Sequence, residues 1–377
     1  MSVPFHSLLR CSLNIHYTQD QGFYSVNTPI LTGNDAEGAG EAFRVAPVEG
    51  EHPAAIQQAT SSTPSSLPST EFFSRPAYLT VSHQLHLEAL ASALSRVYTL
   101  SPCFRAEPSL TARHLAEFWM LEAEWAFSAF GTNTLMEAKG AKSDTEEMCQ
   151  VVETMLRSVL EGIVAGSEPN DELSVLWQQN NEDRLSLVER AVTTEHPWTR
   201  MTYSESINEL RSYHATYATS GGHVSSTRFQ YEPSYSKGLQ SEHEHWLASQ
   251  LVGGPVFVTD YPASLKPFYM RLNSRQLADS STEEEETVAC FDLLVPNVGE
   301  LVGGSVREER LDVLSDRMEK AGMGGPEYEW YRDLRKYGGA PHAGFGMGFE
   351  RLVAWVGGVD NVREAIPIPR WAGRMLL

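Results

Sequence analysis

Between Asp144 and Gly166 the apolar residues Met148, Val151, Val152, Met155, Leu156, Val159, Leu160 and Ile163 recur at helical spacing, after a Ser143–Glu146 capping box. The spacing predicts one helix that lays a single stripe on a single core. Ala77–Val81, Phe118–Phe127, Gly254–Thr259 and Val288–Val295 are shorter, β-rich runs separated by loops or helices without a regular βαβ rhythm. That mixture predicts an α+β fold built on an antiparallel sheet flanked by helices. Two stretches break the pattern: Ala59–Thr70 is almost all Ser, Thr and Pro, and Asp279–Glu286 carries a run of four glutamates. Neither holds the apolar side chains that offset ordering entropy, so both read as surface excursions. The expectation is one domain over 1–377, with loop inserts near 46–72 and 275–287 and a helical insertion near 131–250.

Composition narrows the chemistry. With 41% hydrophobic residues in a chain of 377, there is ample material for a large core. The formal net charge of −20 is the reverse of a broad phosphate-binding surface, so any nucleic acid must meet a local basic patch. Cys11, Cys103, Cys149 and Cys290 are far apart and form no CxxC pair, which argues against a disulfide scaffold or a structural zinc and for a reducing compartment. The pairs His83/His86 and His243/His245 lack further Cys or His at usual spacing and read as loop or helix histidines. No apolar run is long enough for a membrane span, for which ~18 residues are needed. Met1–Thr18 contains Arg10 and no acid, the composition of a transit peptide, so cytoplasm and mitochondrial matrix both stay open.

Three segments carry the functional signal. GFYSVNTPILTGNDAEGAGEAF (22–43) is a strand-like run stopped by Pro29; alone it says little. FRAEPSLTARHLAEFWMLEAEWAF (104–127) alternates like two strands around a loop holding Arg113 and His114. PHAGFGMGFERLVAWVGG, starting at Pro341, puts Gly-Phe-Gly-Met-Gly on a strand and opens a helix with Glu350-Arg351. A lone glycine pattern is weak evidence for nucleotide binding, but all three in this order resemble motifs 1, 2 and 3 of class II aminoacyl-tRNA synthetases, in the subclass charging aspartate, asparagine and lysine. Stretches such as YLTVSHQLHLE, SEHEHWLA, DYPASLKPFYMR, FDLLVPNVGELVGGSVREER and WYRDLRKYGGAPHAGFG are similar to asparaginyl members. The resemblance implies the class II catalytic fold, a homodimer with the Pro29 segment at its interface, and ATP and Mg²⁺ as substrate and cofactor.

The same resemblance implies the site residues. Arg105 would grip the α-phosphate and the substrate carboxylate, with Glu107 ordering the loop or the adenine amino group; Arg105, Glu107 and Arg351 form the catalytic set. Arg113, His114 and Leu115 fall on the loop near the γ-phosphate and adenine, while Phe118 and Arg351 would cover the two adenine faces. Asp292 and Glu300 match magnesium ligands, and Glu300 also touches ATP. In-line attack on phosphorus needs positioning and charge neutralisation more than a base.

Asparagine and aspartate share a shape, so the pocket must choose by charge and hydrogen-bond polarity. Leu87 stands where aspartyl relatives carry a lysine, and it cannot neutralise a carboxylate. By resemblance Glu122 accepts from the substrate amide, Arg307 donates to its oxygen, and Glu37, Ser82 and Gln84 hold the α-ammonium. An aspartate side chain at ~4 Å from Glu122 would cost about 4 kcal/mol at an effective dielectric near 20. L-asparagine is the expected substrate.

The chain also departs from the family. Motif 1 begins within the first few tens of residues, so the N-terminal OB-fold that reads the anticodon is expected to be lacking. His83 stands where glycine is common, and Ser101-Pro102-Cys103 replaces a more usual Gly-Pro-Thr. Three readings stay open: a ligase for tRNA-Asn, a paralogue passing activated asparagine to a small acceptor or making asparagine from aspartate and ammonia, and an idle partner-binding module.

Overall fold

The computed structural model of the chain describes residues 21–33, 42–47, 71–109, 111–127, 144–166, 184–193, 197–219, 229–273 and 286–375, together with Leu9 and Leu13. Much of both loop inserts, Ser143 of the capping box, and Glu37 lie outside the described residues.

Eight strands make the main sheet: β1 (Tyr24–Ser25), β5 (Arg96–Phe104), β6 (Glu117–Ala126), β7 (Thr199–Thr202), β8 (Val256–Thr259), β9 (Cys290–Val295), β10 (Gly299–Val306) and β11 (His342–Gly348). Their order is β1-β5-β6-β11-β10-β9-β8-β7. The six inner strands pair antiparallel, as the sequence pattern implies, whereas the edge pairs β1/β5 and β7/β8 run parallel. The sheet is therefore mixed at its rims; those two edge strands are only two and four residues long, too short to show an alternation in sequence. A small antiparallel sheet, β2-β4-β3, is formed by Leu31–Thr32 (β2), Arg44–Val45 (β3) and Ala77–Leu79 (β4).

Helix α1 (Gln84–Leu94) connects the small sheet to β5, and α2 spans Asp144–Gly166, the range its periodicity predicts. Met148, Val152, Met155, Leu156 and Leu160 of α2 are fully buried in one cluster with Phe291, Val302, Phe345 and Met347 of the sheet. Each such side chain contributes about 1.5–3 kcal/mol by leaving water. The rest of the helical segment, α3 (Arg184–Val192), α4 (Tyr203–Thr219) and α5 (Ser241–Trp246), surrounds β7, so this stretch supplies a strand of the main sheet as well as helices. α6 (Leu311–Lys320), α7 (Glu329–Lys336) and α8 (Phe349–Gly357) follow, α8 leading directly out of β11.

Two glycines show why close strand packing matters for the site. A Cβ on Gly344 of β11 would meet the Glu124 carboxylate at 2.1 Å, so glycine there makes room for a buried acid on β6. On β10, a Cβ on Gly303 would lie 3.2 Å from Glu300 and 3.6 Å from Asp292, which leaves a gap between those two acids.

Candidate active site

The antiparallel hairpin β5–β6 and the β11–α8 junction enclose one cleft. Arg105 follows the end of β5, Phe118 opens β6, and the loop between them brings Arg113, His114 and Leu115 to the same walls. Glu107, Glu300 and Arg351 complete the lining. Every residue expected around ATP is thus gathered by the fold. Arg105 and Arg351 meet their acids at long range, 3.9 Å from Glu107 and 3.8 Å from the Glu300 carboxylate, although Arg351 also donates to the Glu300 carbonyl at 2.8 Å, whereas Arg113 is held firmly, donating at 2.8 Å to Glu244 and at 2.6 Å to Ser241. Their side chains remain 23–28% exposed, a state in which phosphate oxygens can displace weak partners. The Arg105 guanidinium also sits over the Phe118 ring, 5.5 Å from its centroid, a cation–π contact in which a base could replace the cation.

Electrostatics fit an anion-receiving cleft. Burial tends to raise the Glu300 carboxyl, but Arg351, Lys266, Arg113 and Arg105 outweigh it and keep the group ionised below its ordinary range. Burial, opposed by Glu107 and aided by Arg351, Arg113 and Arg105, lowers the His114 pKa. Its Nε2 lies 2.9 Å from Glu107, and a carboxylate only accepts, so the proton rides on Nε2 while Nδ1 accepts from Thr111 at 2.5 Å. Glu350 accepts the Trp119 backbone N–H at 3.1 Å, tying α8 to β6; burial pushes its carboxyl up to about 7.

Farther along β6 a second, closed group of residues begins. Glu122, 3% exposed, accepts from the Ser82 hydroxyl at 2.5 Å and the His83 backbone N–H at 2.9 Å. Glu124 is held by a bidentate Arg307, whose Nε bonds lie at 3.1 and 3.3 Å and whose NH1 reaches Ser305 at 2.7 Å. Behind them Glu88 is fully buried, taking bonds from Arg335 at 2.7 Å, from the Tyr331 hydroxyl at 2.9 Å and from Gln84 at 3.0 Å, with His342 at 3.1 Å. Burial raises the Glu124 carboxyl to about 7 against the pull of Arg307, with Glu88 adding to the rise. Glu88 is the opposite case: despite burial, Arg335, His342 and Arg307 drive it well below its ordinary value.

With this geometry in view, likeness to known proteins becomes decisive. Residues 11–372 match the family of class II tRNA synthetases (D, K and N). The chain belongs to that family. Among relatives, this synthetase is 40% identical over 365 residues to the asparagine–tRNA ligase of Myxococcus xanthus, covering 97% of the chain and 69% of the relative. The asparagine–tRNA ligase of Desulfotalea psychrophila is 43% identical over 366 residues, with 97% and 68% covered. The crystal structure of asparaginyl-tRNA synthetase from Pyrococcus horikoshii complexed with asparaginyl-adenylate superposes with a TM-score of 0.74 at 30% identity, over 98% of this chain and 68% of that one. The synthetase spans about two thirds of the length of these relatives.

Several expected residues sit differently from their sequence reading. Leu87 is fully buried beside Ala91 and Val97, so its side chain serves the core. Arg307 does not wait unpaired for an amide: Glu124 and Ser305 occupy three of its five N–H donors, leaving one on each terminal nitrogen. Asp292 does not stand open beside Glu300, because both its oxygens take 2.7 Å bonds from Lys266. Burial raises the Asp292 carboxyl, against Lys266. Gln84 turns its amide to Glu88, while its backbone N–H bonds the Ser82 hydroxyl at 3.1 Å.

Sequence reasoning missed Glu88, Glu124, Glu244, Lys266, Tyr331 and Arg335 as parts of the site. All but Glu124 lie in the family-like stretches outside the three motifs, and nothing in local spacing ties Glu88 to a partner 247 residues away. His243 and His86 are structural, as expected: His243 faces the Tyr231 carbonyl at 2.9 Å, and His86 stacks on Trp330. His83 Nε2 lies 3.1 Å from the Pro102 carbonyl.

Proposed function

We propose that this synthetase is an asparagine–tRNA ligase, which activates L-asparagine with ATP and loads it onto tRNA-Asn. One oxygen of the asparagine α-carboxylate attacks the α-phosphorus, the bond from that phosphorus to the bridging oxygen breaks, and pyrophosphate leaves with its electrons. A terminal ribose hydroxyl of the tRNA then attacks the acyl carbon and AMP departs. Arg105, Arg113 and Arg351 offset the phosphate charge as it shifts toward the leaving group, and Phe118 offers its face to the adenine. The neutral His114, bonded to Glu107, shapes the loop without adding a fixed charge.

The observation that carries the choice of asparagine is Glu122: a buried carboxylate whose partners are a hydroxyl, a backbone N–H and a thiol, with no ion pair among the described residues. An amide NH₂ supplies donors to such a group; a second carboxylate meets like charge. The remaining N–H groups of Arg307 supply donors for the amide oxygen.

Mg²⁺ is read as held by Glu300 and Asp292, which border the gap that Gly303 leaves. Two carboxylates suit a hard cation that shares phosphate oxygens, and the ion would neutralise triphosphate charge. Lys266 shares Asp292 and supplies a fixed positive charge beside it. A homodimer is supported by Tyr24, Ile30, Leu31 and Phe43, large apolar side chains exposed around β1 and the small sheet. The tRNA acceptor end is read into a neighbouring apolar cavity of about 630 Å³ that shares Arg105 and Glu107 with the ATP cleft. Arg370, Trp371 and Arg374 line it, and the Arg363 and Arg374 guanidiniums lie 4.5 and 5.2 Å from the Trp371 ring, a local basic patch on an acidic chain.

The test is pyrophosphate exchange with each amino acid, then charging of tRNA-Asn. Exchange with asparagine followed by charging is expected; exchange without charging would exclude tRNA as acceptor. In Glu122→Gln, discrimination against aspartate is expected to fall by up to about a thousandfold, the equivalent of ~4 kcal/mol. Unchanged selectivity would place the discriminating group elsewhere.

A further inference from the structure

His83, Cys103 and Glu122 come from three separate elements: the N-cap of α1, β5 and β6. Each offers one ligand atom, a ring nitrogen, Sγ or a carboxylate oxygen, and these atoms all lie within 4.8 Å of one another. His83 and Cys103 are fully buried and Glu122 is 3% exposed. Cys103 Sγ lies 4.0 Å from Glu122 Oε2. The Pro102 carbonyl, 3.1 Å from His83 Nε2, can only accept, so it places the ring proton on Nε2 and leaves the lone pair on Nδ1. That lone pair now takes the Thr28 hydroxyl at 2.5 Å, a rotor that can turn away. A ring N–H anchored on a backbone carbonyl is the usual support of a metal-binding histidine. Glu122, meanwhile, is a buried anion with no ion pair among the described residues.

We propose that His83, Cys103 and Glu122 form a binding site for a thiophilic divalent cation of the Zn²⁺ type, which shuts the amino-acid pocket. One nitrogen, one sulfur and one oxygen are a Zn²⁺ donor set, and tetrahedral bond lengths of about 2.0–2.3 Å put ligand atoms roughly 3.5 Å apart, so the cluster closes by up to about 1.3 Å around the ion. On binding, Cys103 releases its thiol proton to solvent and coordinates as thiolate, and a water or the Ser82 hydroxyl completes the set. The cation offsets the Glu122 charge that no residue now pairs. It also takes the carboxylate oxygens that the asparagine amide uses, so ion and amino acid exclude each other. This exclusion rests on the role given to Glu122 above; the coordination itself does not.

The experiment titrates the whole chain with Co²⁺ as a coloured stand-in, then with Zn²⁺ in the exchange assay. One Co²⁺ per chain is expected to give a thiolate-to-cobalt charge-transfer band, displaced by Zn²⁺ and suppressed by asparagine. Cys103→Ser removes the band, and both Cys103→Ser and His83→Gln raise the Zn²⁺ concentration for half-inhibition at least about tenfold. Absence of a thiolate band in the unaltered protein overturns the site whether or not a variant folds, as does a band that survives in Cys103→Ser. A band that asparagine fails to suppress refutes the amide role of Glu122 while supporting the metal site.

Discussion

The two halves of the proposed catalytic centre share strand β6 but solve opposite problems. On the ATP side, Arg105, Arg113 and Arg351 keep a quarter of their surface in water and meet acids at separations up to 3.9 Å. On the amino-acid side, Arg307, Arg335, Glu88 and Glu124 are at most 3% exposed and their charges are paired at hydrogen-bond distance. A polyanion brings its own charge, so the first half can keep its cations part-exposed, on partners that phosphate oxygens can replace. An uncharged amide brings none, so Arg307, Arg335, Glu88 and Glu124 pair with one another before binding, since a buried unpaired charge is costly, and Glu122 is left to the neutral donors that hold it.

The largest expected effect separates these halves. Arg351→Ala and Arg105→Ala should each abolish measurable pyrophosphate exchange, because a donor aimed at developing phosphate charge is worth at least about a hundred- to a thousandfold in rate. Their melting temperatures should stay close to that of the unaltered protein. Arg335→Met should do the reverse, costing about 3–5 kcal/mol of stability by stranding Glu88, whatever activity survives. Equal stability losses in Arg351→Ala and Arg335→Met, measured by denaturant unfolding, would erase the distinction.

A second effect concerns Glu350, on the floor of the ATP cleft. Its carboxyl lies at about 7 in the fold, raised by burial from 4.5, so the fold favours the protonated form. The associated stability is fully present below pH 4.5 and is lost as pH rises through 7, in total about 3 kcal/mol. Glutamine keeps an oxygen for the Trp119 N–H and cannot ionise. Glu350→Gln should therefore gain on the unaltered protein from pH 4.5 to just above 7, with a constant difference beyond. Because Glu124 titrates in the same window, the informative quantity is the difference between the two proteins at each pH. A pH-independent difference would mean that burial does not hold Glu350 protonated.

What the chain made legible follows the same divide. The ATP side could be read because its residues sit in compact stretches: Arg105 to Phe118 on one hairpin, and Glu350-Arg351 at one strand-to-helix turn, where spacing alone fixes neighbourhood. Helix α2 could be read because one periodic stripe faces one core. The amino-acid side could be read only in part. Glu122 and Ser82 are brought together, bonded to each other, yet the grip on Arg307 and Gln84 comes from Glu124 and Glu88, and Glu88 is in turn held from α7, at positions joined only by the tertiary fold. Lys266 on Asp292 was hidden for the same reason.

The smallest effect probes how that buried half works. The Tyr331 hydroxyl lies 2.9 Å from both oxygens of Glu88 and shares its one proton with them, and Glu88 is the acceptor that orients the Gln84 amide and lies 3.9 Å from Arg307. Tyr331→Phe removes the hydrogen bond to Glu88 and the one the hydroxyl accepts from Arg335 at 3.1 Å, without changing the ring that packs on Phe268 and Arg335, so the stability cost should be at least about 1.5–3 kcal/mol. If the Glu88 cluster only held the fold together, the kinetic constants of the folded enzyme would not move. As a positioning group for Gln84 and Arg307, it should instead raise KM for asparagine several-fold while KM for ATP and kcat stay near their original values. An equal shift in both KM values would assign Tyr331 to the fold alone and confine amino-acid selection to Ser82, Glu122 and Arg307.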